Sequence, residues 1–219
     1  MEDYSDVGNK SKYRGMIFIL DGLSGGGKTT LARMMTQTEK HIECSVSATT
    51  RNMRPGETDG IDYHFITKEE FLKKEQEGYF LEITDRFGNF YGTPKQQVED
   101  ILSSGNDIIF DIDYMGTRAL TKNFPEDVVR VFLMPPSYKD LKERLWNRDS
   151  ETEESFKLRM EENAEYLENW EEYDYIFIND TIQSTLRRLQ QILRAERLKR
   201  NRQPFLEPFV EEFKKGFEK

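Results

Sequence analysis

Residues 16–30 read MIFILDGLSGGGKTT, an apolar run followed by a glycine-rich turn that closes on Lys28 and Thr29. A short continuous apolar run bounded by turn residues predicts a strand buried on both faces, as in a parallel sheet. Gly22, Gly27, Lys28 and Thr29 meet the spacing G-x-x-x-x-G-K-[ST]. Glycines at that spacing let backbone N–H groups turn inward around phosphate oxygens, and a helix starting near Lys28 adds its positive end. The lysine reaches the outer phosphates, and the Thr29 hydroxyl is a ligand for Mg²⁺. The alternative is a plain glycine turn, but a strand before and a helix after supply the context the motif requires. The loop holds a nucleotide; it does not name the acceptor.

Outward from this stretch, TTLARMMTQ carries Leu31, Met34 and Met35 at helical spacing. Three more apolar runs follow at DIIFDID (107–113), VVRVFLM (128–134) and YIFIND (175–180), separated by helical patterns. Alternating strands and helices predict an α/β fold with a central parallel sheet and right-handed crossovers. The segment 45–93 lacks the long-helix rhythm; it offers short strand patterns around the helix KEEFLKKEQEGY, stopped by Gly78, and reads as an inserted subdomain.

Composition narrows the class. The chain has 219 residues, a formal net charge of −9 and 33% charged residues. Such a surface repels nucleic acid over most of its area. The single cysteine, Cys44, excludes a disulfide framework or a zinc cluster of several cysteines and reads as a small core residue. No apolar run approaches a membrane span. The N-terminus MEDYSDVGNKSKYRG is polar and acidic where a secretory signal is basic then apolar, so a cytoplasmic protein is expected.

A second phosphate site is suggested by SVSATTRNMRPGETDGIDYHF, in which Arg51 and Arg54 lie three apart with Tyr63 nearby. Guanidinium forks pair bidentately with phosphate oxygens, although two solvated loop arginines would look the same. Glu82, on the apolar strand YFLEIT, is suited to accept from the N1–H and exocyclic amine of guanine, a donor pair that adenine lacks. Asp111, ending the strand beside the phosphate loop, is placed to hold Mg²⁺ or its waters. Asp113 either reaches the acceptor from the same strand face or caps the next helix. Arg144, Arg148 and Arg159, in DLKERLWNRDSETEESFKLRM, read as a helix–loop–helix able to close over a triphosphate, with Ser155 capping its second helix.

Taken together, GLSGGGKTT, SVSATTRNMRPGETDGIDYHF, FLE, NFYGTP, FDID and NRDSETEES resemble guanylate kinase over roughly residues 16–195. The resemblance implies a phosphate-loop three-layer fold with an inserted GMP-binding subdomain and a helical lid. It implies Mg²⁺-dependent transfer of the γ-phosphoryl of ATP to GMP. It divides the chain into a loose tail (1–14), a kinase domain (15–198) and a helical extension (199–219). Within the domain the core is 15–44 and 94–198, the GMP-binding part 45–93 and the lid about 137–160. ATP would be held by Gly22, Ser24, Gly25, Gly26, Gly27, Lys28, Thr29, Thr30, Arg144, Arg148 and, near the adenine, Asn179. GMP would be held by Ser47, Arg51, Arg54, Tyr63, Glu82, Tyr91, Thr93 and Asp113. The catalytic charges would be Lys28, Arg51, Arg144, Arg148 and Arg159, with Thr29 and Asp111 on the metal side. Two other readings remain: a turnover-dead interaction module, which should have lost loop or lid charges, and a kinase for another small acceptor.

The chain departs from the family's usual GPSGxGK loop at Leu23, where proline is common, an exchange expected to matter little. The C-terminal stretch also lies outside the resemblance. LRRLQQILRAERLKRNR reads as a basic amphipathic helix, and Phe205, Phe209, Phe213 and Phe217 recur at every fourth position. Such a face needs burial. Packing on the chain's own core is the favoured expectation. A homodimer through this helix, a partner groove or a membrane surface are the alternatives.

Overall fold

The computed structural model describes residues 14–86, 88–147 and 153–217. The opening stretch forms β1 (Ile17–Gly22), buried along its whole length, and then α1 (Lys28–Thr38). Short strands β2 (Ile42–Cys44), β3 (Ala48–Thr49) and β4 (His64–Phe65) precede α2 (Lys68–Gln76). Strands β5 (Phe80–Arg86) and β6 (Asn89–Pro94) form a hairpin, followed by α3 (Lys95–Ser103), β7 (Asp107–Asp111) and α4 (Tyr114–Asn123). Then come β8 (Val128–Met134), α5 (Tyr138–Trp146), α6 (Glu153–Leu167), β9 (Tyr175–Ile178), α7 (Ile182–Arg197) and α8 (Leu206–Phe217).

The core sheet runs β2-β7-β1-β8-β9 and is parallel throughout. Side chains alternate across a strand, so β1 feeds two cores. Phe18 and Leu20 meet Leu31 and Met35 of α1 and Leu186, Leu189 and Leu193 of α7 on one face. Ile17 and Ile19 meet Val98 and Leu102 of α3 and Leu120 of α4 on the other. Helix, sheet and helix make the three layers. Each of these fully buried apolar side chains contributes about 1.5–3 kcal/mol relative to exposure. A third cluster, Leu23, Phe132, Leu141, Leu145 and Tyr173, sits under α5 and α6 with Phe156, Met160 and Tyr166. Leu23 is therefore a buried contact beneath the lid helices, not the incidental letter its loop position suggests.

A separate four-stranded sheet, β4-β3-β6-β5, is built from residues 48–94. Its β2 neighbour in sequence joins the core sheet instead, through β7. Helix α2 starts with a reciprocal capping box between Thr67 and Glu70 and ends two residues before Gly78. It covers the sheet by one fully buried ring, Phe71, stacked 4.5 Å from Phe80 and 5.5 Å from Phe90.

Three expectations are corrected here. Arg14, assigned to the loose tail, is tied to Asp127 by paired hydrogen bonds of 2.9 and 2.5 Å; residues 1–13 lie outside the described part. The basic helix stops at Arg197, and several cations of this stretch hold the structure together: Arg194 pairs with Glu39, Arg197 with Asp107, and Arg202, beyond the helix, with the carbonyl of Asp127. Helix α8 buries none of its residues, so its phenylalanines do not pack on the chain's own core.

Candidate active site

Ligands in open α/β sheets gather at the carboxyl ends of the strands, and the glycine loop lies there, between β1 and α1. Gly22 has φ +123° and a Cβ on it would lie 2.3 Å from the Leu133 carbonyl oxygen. Gly27, at φ +92°, forms the N-cap of α1 and offers no side-chain cap. The first amides of α1 are thus left to meet an anion at the positive helix end. Lys28 lies back over the loop, its Nζ 2.8 Å from the Gly22 carbonyl oxygen. The Thr29 hydroxyl donates to the Asp111 carboxylate at the exposed end of β7. Thr30 follows, exposed.

Loop and lid are in contact. Arg159 of α6 donates to the Ser24 hydroxyl (3.2 Å), and Asn163, one turn on, accepts from the Ser24 amide (2.7 Å). Arg144 of α5 donates to the Asn179 carbonyl (3.1 Å). The Asn179 side chain is buried; it donates to the Gly26 carbonyl (2.8 Å) and accepts from Thr185 (2.8 Å), so its amide braces the loop. A cavity of about 590 Å³ opens beside it, lined by Gly25, Gly27, Asp140, Arg144 and Ile182 among others. Arg148 lies outside the described residues. Ser155 falls inside α6, which begins at Glu153; Ser137 caps α5, accepting from the Asp140 amide.

Asp21, wholly buried under the loop, was not singled out by the motif. One carboxylate oxygen accepts from the Gly22 amide (2.7 Å); the other accepts from Thr117 of α4 (2.8 Å) and from the Tyr173 hydroxyl beyond α6. Burial pushes its carboxyl up, with Lys28 pulling the other way; burial also pushes the Tyr173 phenol up, with the charge of Asp21 adding. A charge ending a wholly apolar run is the signal that marks it.

The acceptor cluster gathers on the second sheet. The Arg51 guanidinium sits over the Tyr63 ring at 5.3 Å, and Tyr63 meets Tyr91 edge-on at 5.9 Å. Both ends of the Arg51 fork are held by Glu57, at 2.9 and 2.8 Å, and the Arg54 amide donates to the same carboxylate at 2.7 Å. The Arg51 guanidinium holds the Glu57 carboxyl below its ordinary range. The Arg54 side chain is exposed. Glu57 was missed by sequence reasoning, although it is the acid nearest Arg54, three positions on. Burial pushes the Tyr63 phenol up, and the charge of Asp111 adds to it.

Glu82 faces inward on β5. Thr93 donates to it at 2.7 Å and Thr84 at 3.4 Å; burial pushes its carboxyl up, with the charge of Asp113 adding. Asp113 does not share the β7 strand face, since β7 ends at Asp111; it caps α4, accepting from Gly116 at 3.0 Å, yet stays close enough to act on Glu82. Ser47 is half-buried just before β3, and its carbonyl accepts from the His64 amide (2.9 Å).

A glycine loop at the head of a parallel sheet, with a second site of arginine, tyrosines and a half-buried carboxylate, defines a phosphate-loop phosphotransferase with a small phosphorylated acceptor. The guanylate kinase family matches residues 14–196. A guanylate kinase of Maricaulis maris is 46% identical over 202 residues, spanning 92% of this chain and 93% of that protein. One from Rhodopseudomonas palustris is 42% identical over 219 residues, the whole of both chains. The crystal structure of guanylate kinase from Anaplasma phagocytophilum superposes with a TM-score of 0.77 at 34% identity, over 93% of this chain and 97% of that one. The chain belongs to the guanylate kinase family. It is a nucleoside monophosphate kinase, transferring a phosphoryl group from ATP to GMP to give ADP and GDP.

Proposed function

We propose a division of labour for this transfer. The loop from Gly22 to Thr30 holds the donor phosphates on backbone amides, with Lys28 leaving the Gly22 carbonyl to meet them. Arg144 and Arg159, with Arg148, bring positive charge from the lid (about 137–160) onto the transferring group. Arg51, Arg54, Tyr63 and Tyr91 hold the acceptor phosphate, and Glu82 with Thr93, Ser47 and Asp113 reads guanine on a GMP-binding subdomain (45–93). Asn179 acts by bracing Gly26 beside the cavity suited to the adenosine half. Phosphoryl transfer needs little covalent help from the protein, so positioning and charge neutralisation carry the rate.

One observation carries this reading: Asp111 is bonded to Thr29 of the donor loop and its charge bears on Tyr63 of the acceptor cluster. A hydroxyl and one carboxylate are the hard oxygen donors that suit Mg²⁺, which completes its shell with water and substrate phosphates. Thr29 and Asp111 would hold that Mg²⁺, and when bound it supplies neutralisation of phosphate charge. These roles hold alike for a monomer or for a homodimer through the C-terminal helix. The lone Cys44 supports a reducing, cytoplasmic setting, and no helix of the described residues is long and apolar enough to cross a membrane.

Asp111→Asn tests the shared position. Turnover should fall and the half-saturating Mg²⁺ concentration should rise, with GMP affinity nearly intact. An unchanged Mg²⁺ dependence would remove Asp111 from the metal side.

A further inference from the structure

Helix α8 presents an apolar row that nothing in the described chain covers. Phe209 is 51% exposed, Val210 45%, Phe213 59% and Phe217 87%. These positions share one helical face. The rings of Phe209 and Phe213 lie 5.0 Å apart and form a ridge along it. The root of the helix is fixed. Arg202, 6% exposed, donates to the Asp127 carbonyl at 3.1 Å and faces buried Glu196, which Tyr175 (2.6 Å) and Lys199 (2.8 Å) also hold. Pro208 falls in the first turn, where a proline is tolerated. The turn that leads into α8 is anchored, and the helix beyond it holds its apolar face outward.

The polar residues of α8 divide by sign along the axis. Glu207, Glu211 and Glu212 occupy the first half, Lys214 and Lys215 the second. We propose that α8 is a self-association element, paired antiparallel with α8 of a second copy of this chain about a two-fold axis near the Phe209–Phe213 ridge. In that arrangement the apolar rows face each other and the acidic half of each helix lies beside the basic half of the other. The two helix dipoles also run head to tail. Parallel pairing would set glutamate beside glutamate and lysine beside lysine. A membrane surface is disfavoured by the same residues, because interfacial helices carry Lys and Arg on the polar face and this one carries more acid than base.

The available area sets the strength. At roughly 150–250 Å² per aromatic side chain, the exposed parts of three phenylalanines and one valine supply about 400 Å² per protomer. The pair then buries about 800 Å², below the roughly 1,200 Å² of stable complexes. The dimer is reversible and concentration-dependent. Its anchor at Asp127 precedes β8, at the end of the sheet opposite the phosphate loop, so pairing leaves both active sites open and turnover unaffected.

Sedimentation velocity on the full chain, from about 1 to 500 μM, reads the equilibrium. The wild type should move from monomer to dimer. Phe213→Glu should stay monomeric throughout with kcat and Tm unchanged, which shows a folded enzyme. Lys214→Glu with Lys215→Glu should weaken association at least about tenfold. Adding Glu207→Lys, Glu211→Lys and Glu212→Lys to that same chain should restore it, since full reversal recreates the complementarity. The proposal fails if the wild type is monomeric at the top concentration, if Phe213→Glu still dimerises, or if the fully reversed chain does not recover. It fails equally if monomeric wild type sediments with anionic phosphatidylserine vesicles, which would make α8 a membrane element.

Discussion

The donor loop is made of backbone and the acceptor cluster of side chains. Fifteen consecutive residues (16–30) build the first: a buried strand, glycines at positive φ and an uncapped helix start. The second draws on positions from 47 to 113, brought together by β3–β6 and β5–β6 pairing and by the end of β7. A site made of amides has donors wherever the backbone goes, so its geometry is stiff and indifferent to the base. Side chains have to be held in place, and the acceptor site accordingly has its own supports: Glu57 clamps Arg51, and Thr93 orients Glu82. Specificity resides where the supports are.

The contrast can be broken at several points. The largest effect is expected at Lys28, the one side chain on which the backbone site depends: Lys28→Ala should lower kcat by about 10²–10³-fold while GMP binding, read by calorimetry, barely changes. Equal losses in both would mean that the donor and acceptor halves are not separable. The next is the pH dependence of Glu82. Its carboxyl is pushed up by burial, and only the ionised form accepts two guanine donors. KM for GMP should therefore rise as pH falls through that raised pKa, by up to tenfold per unit below it. Glu82→Gln should abolish this slope; a variant with the wild-type slope would assign it to another group.

Glu57 gives a smaller effect. Glu57→Gln removes a charge-assisted bidentate partner worth about 1.5–3 kcal/mol, part of which the GMP phosphate replaces. KM for GMP should rise about tenfold with kcat nearly constant. A fall in kcat alone would contradict a purely positioning role. The smallest is at Asp21, on the backbone side. Its folded-state pKa is raised by burial. Stability from this group is therefore full below its unfolded pKa near 3.9 and is lost as pH rises through the folded value. The Tm of Asp21→Asn relative to wild type should shift in the variant's favour as pH climbs from acid to neutral. A constant difference would deny that the buried carboxylate ionises at a cost.

The same contrast explains what was legible beforehand. The core sheet was readable because its strands are continuous apolar runs, and the loop because its spacing is a backbone requirement. Arg51, Tyr63, Tyr91 and Glu82 were readable as types that suit phosphate and guanine. Glu57, Asn163 and Asp21 were not, because each acts on a partner far away in sequence or through a turn. Asn163 meets Ser24 across 139 positions of sequence, and no local pattern carries that. Of the two characters expected of Asp113, the structure shows the helix cap on α4. The Phe209–Phe217 row was legible as a face needing burial, but periodicity does not say what buries it.

The central claim is that the acceptor is chosen by the half-buried Glu82 carboxylate on β5. It is tested most directly by kcat/KM for GMP and for AMP in the wild type and in Glu82→Gln, by coupled ADP release with ATP and Mg²⁺. The account predicts that the wild type favours GMP by at least about 10³-fold and that the substitution collapses this ratio by about 10²-fold or more. A ratio that survives the substitution would show that guanine is read elsewhere.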